Sequence, residues 1–175
     1  MSGQEPVDGA MVLGPARALL DAVRAELELT EAGVPGRFGL VPGGPIVAFD
    51  NLLEDECDGL GWVRVAQVFP SVTFPQPVGE PTRLSSVPWA LTLEAGVVRC
   101  AYSLNDQAAP PSVEQLEENT ATLHADGRAL RTAVTCGLAR TYQDAVLGAW
   151  VPFDVQGGAM GSAISVTVPL RGCGC

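Results

Sequence analysis

The stretch WALTLEAGVVRCAY, residues 89–102, constrains the possible folds most strongly. Apolar residues recur there at every second position, and Thr92 and Glu94 lie between them. Because successive side chains of a strand point to opposite faces, this period of two predicts a strand with one buried face. Gly96 inside it predicts a bulge or a bend. The apolar positions are Trp89, Leu91, Leu93, Ala95 and Val97.

Two amphipathic segments can cover such a strand. The first, GPARALLDAVRAELELTEAG, has Pro15 where a first helical residue is expected and Gly33 just past the expected end. Its apolar residues return every three or four positions, at Ala16, Leu19, Leu20, Val23 and Leu27.

The second segment begins at the capping box that Ser112 and Gln115 form. We expect Asp126–Gly127 to kink this helix or to divide it in two. Its predicted apolar stripe consists of Val113, Leu116, Leu123, Leu130, Val134 and Leu138.

Further strands are predicted on both sides of the second helix. Before it lie PIVAFDN (45–51), which follows a bend rich in proline and glycine, and LGWVRVAQVFP (60–70). After it, VLGAWVPFD and SAISVTVPL flank the bend VQGGAMG and predict a hairpin, with Ile164, Val166, Val168 and Leu170 on one side and Ser165 and Thr167 on the other.

The order α-β-β-β-α-β-β predicts an α+β domain, in which an antiparallel sheet of about five strands carries two helices on one face. We assign residues 14–175 to this domain and residues 1–13 to a flexible N-terminal extension. A proline-rich loop with five prolines occupies residues 70–88. Either it is a flexible insertion, or it is an arm that docks on a neighbouring subunit.

The charge composition excludes several functions. The net charge is −10, and all ten basic residues are arginine. Without lysine the chain has neither a Walker A phosphate loop nor a pyridoxal Schiff base. The acidic balance also disfavours groove binding to DNA. No apolar run reaches the length of a membrane span, and the N-terminus lacks the pattern of a secretory signal.

No catalytic, cofactor or metal site is predicted. His124, the single histidine, lies mid-helix and is expected to be a solvated or half-buried helix residue, because Asp126 projects from a different side. The glycine clusters lack phosphate-loop spacing and predict turns. The acidic stretch NLLEDECDG lacks the ligand pattern of a calcium loop.

The five cysteines leave alternatives open. They match neither a disulfide framework nor paired zinc knuckles. The C-x-C at the end of the chain is compatible with free or buried thiols, with a disulfide, or with one side of a soft-metal site. The cysteines are Cys57, Cys100, Cys136, Cys173 and Cys175.

Taken in order, the segments PGGPIVAFDN, GWVRVAQVFP, WALTLEAGVVRC, ALRTAVTCGL and LGAWVPFDVQGGAMGSAISVTV resemble the small neck proteins of long-tailed actinobacterial phages. Among these, the sequence is most similar to tail terminators, also called tail completion proteins. The resemblance extends from about Pro15 to the C-terminus, and it rests on element order and packing motifs.

The resemblance implies a structural virion protein without catalytic residues or cofactors. It implies a homo-oligomeric ring, typically a hexamer, that caps the tail tube, ends its polymerisation and joins it to the head-completion complex. Its partners would be the tail tube protein and a head-completion or stopper protein. Genomic DNA would pass through the lumen without specific binding, and no membrane would be involved. The protein would assemble in the host cytoplasm and reside in the neck of the virion.

Two alternatives remain at this stage. One is another head-to-tail connector component, such as a head-closure stopper or an adaptor. The other is a small domain that uses its thiols to bind a metal or a ligand.

Overall fold

The computed structural model describes residues 7–42, 59–79, 87–102, 109–156 and 158–170. The elements follow one another in the predicted order, and the α+β class is confirmed. They are α1 (Val7–Leu27), β1 (Arg37–Val41), β2 (Leu60–Pro70), β3 (Trp89–Cys100), α2 (Val113–Thr132), β4 (Val146–Gln156) and β5 (Ala159–Leu170). After α2 the chain stays helical, with a π-helical stretch over Ala133–Gly137 and a 3-10 turn over Leu138–Arg140.

The five strands form one mixed sheet in the order β1-β2-β3-β5-β4. The pairs β2–β3, β3–β5 and β5–β4 are antiparallel, whereas β1 runs parallel to β2 with Arg37 opposite Leu60. The prediction of a wholly antiparallel sheet is therefore wrong at one edge. A parallel pair requires the chain to cross back to the same end of the sheet, and the stretch between Val41 and Leu60 provides the length for that return.

The first strand also lies at a different place from the predicted one. β1 is formed by RFGLV, which the sequence assigned to a bend because prolines and glycines surround it. The segment PIVAFDN, residues 45–51, lies outside the described residues. β2 coincides with the predicted segment, and the β4–β5 hairpin forms as predicted, with Gly158 at a positive φ of 78° in its turn.

Helix α1 begins at Val7, so Pro15 lies inside it and does not start it. A proline in a helix disfavours the helical conformation of the residue before it, because its ring meets that residue's Cβ. Gly14 stands at that position and has no Cβ. Residues 7–13 of the expected extension therefore belong to α1.

Helix α2 begins at the predicted cap. The Ser112 hydroxyl accepts from the Gln115 backbone N–H, and the Gln115 side chain accepts from the Ser112 backbone N–H. The helix runs without a break through Asp126–Gly127, so the expected kink or division does not occur. Half of the predicted apolar stripe is buried, but Val113 is 66% exposed and Leu116 is 49% exposed.

The main core lies between the two helices and one face of the sheet. On β3 it takes the predicted alternate residues Leu91, Leu93, Ala95 and Val97, whereas Trp89 is 40% exposed at the strand end. Leu19 of α1 and Leu130 near the end of α2 pack on the same face. No helix within the described ranges is long and apolar enough to cross a membrane.

A smaller cluster occupies the opposite face of the sheet. Trp62 is completely buried there and stacks on Phe153 with ring centroids 6.3 Å apart. The indole lies directly against Gly96, where any Cβ would collide with it. The predicted bulge at Gly96 is absent, because β3 keeps its register with both neighbours through this residue. Gly96 instead makes room for an aromatic ring.

The described start of the proline-rich loop is tightly folded. The Ser71 N–H donates to the Pro88 carbonyl at 2.8 Å, and the Val78 N–H donates to the Pro70 carbonyl at 3.0 Å. The Ser71 hydroxyl, in a residue only 3% exposed, donates to the Gln76 carbonyl. The loop therefore leaves the sheet as a closed turn and returns beside it.

Candidate interaction surface

Strand β4 forms an outer edge of the sheet and presents an uncharged surface. Residues 146–153, VLGAWVPF, contain no charged side chain. Val146, Leu147 and Val151 are 40%, 45% and 51% exposed. Soluble proteins usually protect a free edge with charges, above all lysine, because its open backbone groups can pair with another chain. An aliphatic edge without charge is expected where another protein covers it.

The outline of β4 limits how a neighbour can approach. Two register shifts interrupt its pairing with β5, one between Leu147 and Trp150 and one between Phe153 and Gln156. Pro152 lies between them and has no N–H to donate. A neighbour would therefore contact this edge through side chains and short backbone stretches, not through one long continuous ladder.

Trp150 anchors β4 to α2. Its indole lies against Gly127, where an added Cβ would be 2.6 Å from the ring. His124 packs against the indole with centroids 5.7 Å apart, and the Arg131 guanidinium lies 5.8 Å from the ring centroid. His124 is exposed to solvent, as predicted, and its contact is with an aromatic ring. The indole N–H of Trp150 is buried and has no hydrogen-bond partner among the described residues.

Arg99 and Asp126 form a buried ion pair that the sequence did not reveal. Arg99 Nε lies 2.6 Å from Asp126 Oδ2, and Arg99 Nη2 lies 2.9 Å from Asp126 Oδ1. Arg99 also donates to the carbonyls of Ala32 and Gly33, which follow α1. The pair thus joins β3, α2 and the α1–β1 connection. Burial raises the pKa of Asp126, and the bonds from Arg99 offset that shift only in part.

A second ion pair lies on the helix-free face of the sheet. Arg64 on β2 binds Glu94 on β3 through two bonds of 2.8 and 3.0 Å, and the Glu94 bond raises the pKa of Arg64. Thr92 and Thr167 share a hydrogen bond of 2.9 Å beside it. These bonds link neighbouring strands through their side chains, and such cross-strand pairs stabilise a sheet.

The structure describes two of the five cysteines, Cys100 and Cys136. Cys100, at the end of β3, is disulfide-bonded, and its partner lies outside the described residues. Cys136 is a free and exposed thiol after α2. Cys57, Cys173 and Cys175 fall outside the described ranges, as does most of the acidic stretch. Within the described part of the chain, no three histidine, cysteine or acidic side chains are placed to share a metal ion.

A cleft of about 310 Å³ lies where α1 begins and β5 ends. Met11, Tyr142 and Leu170 form much of its wall, and Asp144 is the one charged side chain among the described residues that line it. Among the described residues that line it there is neither histidine nor cysteine.

No protein-family model matches the chain, and a search of curated proteins finds no match.

Proposed function

We propose that the protein is a tail terminator of a long-tailed phage, which forms a ring that caps the tail tube and joins it to the head-completion complex. The uncharged, aliphatic β4 edge is the observation that carries this proposal. In this proposal the β4 edge is a surface through which subunits assemble. The element order α-β-β-β-α-β-β agrees with the resemblance to that family.

The positions of the two sheet edges support a ring. β1 and β4 are the two edge strands of the sheet, and both expose aliphatic side chains. On β1, Leu40 is 38% exposed. A contact between two different surfaces repeats head to tail from subunit to subunit, and it closes into a ring when the rotation allows. In this proposal the β4 edge of one subunit faces the β1 side of the next.

The charge supports the passage of DNA through the ring. The net charge is −10, and the described acidic side chains other than Glu94 and Asp126 lie mainly on the helices and the turns after them. A surface of that sign repels phosphate, so DNA can cross the ring without adhering to it. Nucleic-acid recognition requires the opposite sign.

Size-exclusion chromatography with light scattering tests the proposal, first on the purified protein and then on the protein mixed with its phage's tube protein. We expect a closed oligomer and a stop to tube growth when the ring is added. A protein that stays monomeric and leaves tube growth unchanged would refute it. Binding to the head-completion protein but not to the tube would instead assign it to the stopper or adaptor class.

A further inference from the structure

The outer face of α2 carries a row of exposed residues that is acidic at one end and basic at the other, so it is complementary to a second, reversed copy of itself. Six exposed residues follow one another at intervals of three, four, three, four and three, so they form a single seam along the helix. We call them the α2 seam: Glu114, Glu117, Ala121, His124, Arg128 and Arg131. The seam begins with two acids, has its small residue near the middle and ends with two bases.

None of the four charged end residues of the seam belongs to either of the ion pairs that join described residues, although the Arg131 guanidinium lies over the Trp150 ring. The positions three and four residues away from Glu117 in either direction hold no base, and those around Arg128 hold no acid. Neither residue takes part in the ion pairs among the described residues. Hydrogen bonds from its own backbone N–H and from Ser112 lower the pKa of Glu114, which keeps that carboxyl ionised.

The helix dipole accounts for only part of this distribution. It favours acids in the first turn and bases in the last, and it falls off beyond those turns. It therefore explains Glu114 and Arg131. Glu117 and Arg128 lie further inside the helix, and the dipole gives no reason for the charges to share one seam with an alanine near its centre.

We propose that the α2 seam is a docking surface for a second copy of this chain, with the two α2 helices packed antiparallel about a two-fold axis. Reversing the helix about the midpoint between Thr122 and Leu123 places Glu117 opposite Arg128 and Glu114 opposite Arg131. The two-fold axis makes each pair occur twice, giving four ion pairs in all. Ala121 then meets His124, and its small side chain permits an interaxial distance of about 8–10 Å.

This contact is independent of the proposed ring. A two-fold contact uses the same surface on both partners, whereas a ring closes through two different surfaces. The helix layer supplies the seam, and the sheet edges would supply the ring. The seam would therefore join two free subunits or two rings, and its loss would halve the particle mass without opening a ring.

A charge-swap series measured by sedimentation equilibrium tests the proposal. Glu117→Arg and Arg128→Glu each place like charges opposite one another twice, so each should halve the mass of the largest species and raise the dissociation constant about tenfold or more. The double variant restores opposite charges and should regain the wild-type mass. Rising salt should weaken the wild-type contact, because exposed charges are screened.

Glu31→Arg, the same charge change on an exposed site after α1, is the matched control and should keep the wild-type mass. Circular dichroism checks that each variant retains its helices. The proposal is overturned if either single variant keeps the wild-type mass, or if the double variant fails to recover it. Loss of tube capping with an intact two-fold contact would contradict the proposed function alone.

Discussion

Arg99 holds together three parts of the chain that are distant in sequence. Its side chain is 13% exposed and the Asp126 carboxyl 5%, and the guanidinium also caps carbonyls after α1. A buried ion pair contributes little net stability, because both charges lose their hydration. Removing one partner is costly for the same reason, since the other charge then stays buried alone.

We expect Arg99→Ala to lower the free energy of unfolding at pH 7 by about 3–5 kcal/mol, as measured by urea denaturation. Arg17→Ala removes an exposed arginine from α1 and should change the free energy of unfolding by less than about 0.5 kcal/mol. Equal losses in the free energy of unfolding for the two variants would contradict this account of the buried Arg99–Asp126 pair.

The cost of Arg99→Ala should also depend on pH. Burial already raises the folded-state pKa of Asp126 above its ordinary value of 3.8, and losing Arg99 removes the group that opposes this shift. A carboxyl with a raised folded-state pKa binds its proton more tightly when folded, so stability falls as pH rises from the unfolded pKa to the folded one. The difference between the variant and the wild type should therefore shrink on acidification from pH 7 toward about pH 4.

At the scale of elements, local signals were sufficient for much of the fold. The capping box placed the start of α2, alternation placed β3, and the glycine-rich bend placed the β4–β5 hairpin. Each of these signals lies within a few neighbouring residues. The parallel pairing of β1 and the contact between Arg99 and Asp126 depend on residues far apart in sequence, and no local pattern encodes them.

The apolar stripe of α2 shows the same limit. Its period predicted burial from Val113 to Leu138, yet only the C-terminal part reaches the core. Periodicity reports which residues share a helix face. It does not report which part of that face the rest of the fold covers. Along α2 the first buried residue is Asn119, whose side chain is hydrogen-bonded to the backbone of Tyr102.

The cap of α2 gives a prediction at this scale. Ser112→Ala removes the hydroxyl that accepts from the Gln115 N–H and should lower the free energy of unfolding by about 1 kcal/mol. An N–H in the first turn has no acceptor within the helix, so it depends on this cap. Thr120→Ala is the control. Its hydroxyl donates to the Leu116 carbonyl within the helix, and such back-bonding adds no helix stability. Chemical denaturation of both variants compares them directly, and a larger loss for Thr120→Ala would contradict this account of the cap.

At the scale of the molecule, we propose two different kinds of contact surface. Both sheet edges expose aliphatic side chains, and they differ from each other because β1 also exposes Arg37; two different surfaces suit a head-to-tail ring. The α2 seam is charged and self-complementary, which suits a two-fold contact. These surfaces lie on different layers, so substitutions can separate their effects. Each surface is therefore tested by its own variants: changes on β4 should affect ring closure, and changes in the α2 seam should affect the pairing of two copies.

Val151→Lys tests the β4 edge directly. Val151 is 51% exposed on an outer strand, so the substitution should leave the free energy of unfolding within about 0.5 kcal/mol of the wild type. A lysine on a free edge blocks pairing with another chain, because its charge would have to be buried in the contact. We therefore expect light scattering to show that the variant no longer forms the ring and that it no longer stops tube growth. Leu29→Lys, at a residue 78% exposed after α1, introduces the same charge away from the sheet edge and should assemble normally. A ring of wild-type mass in the Val151→Lys variant would mean that subunits meet through another surface.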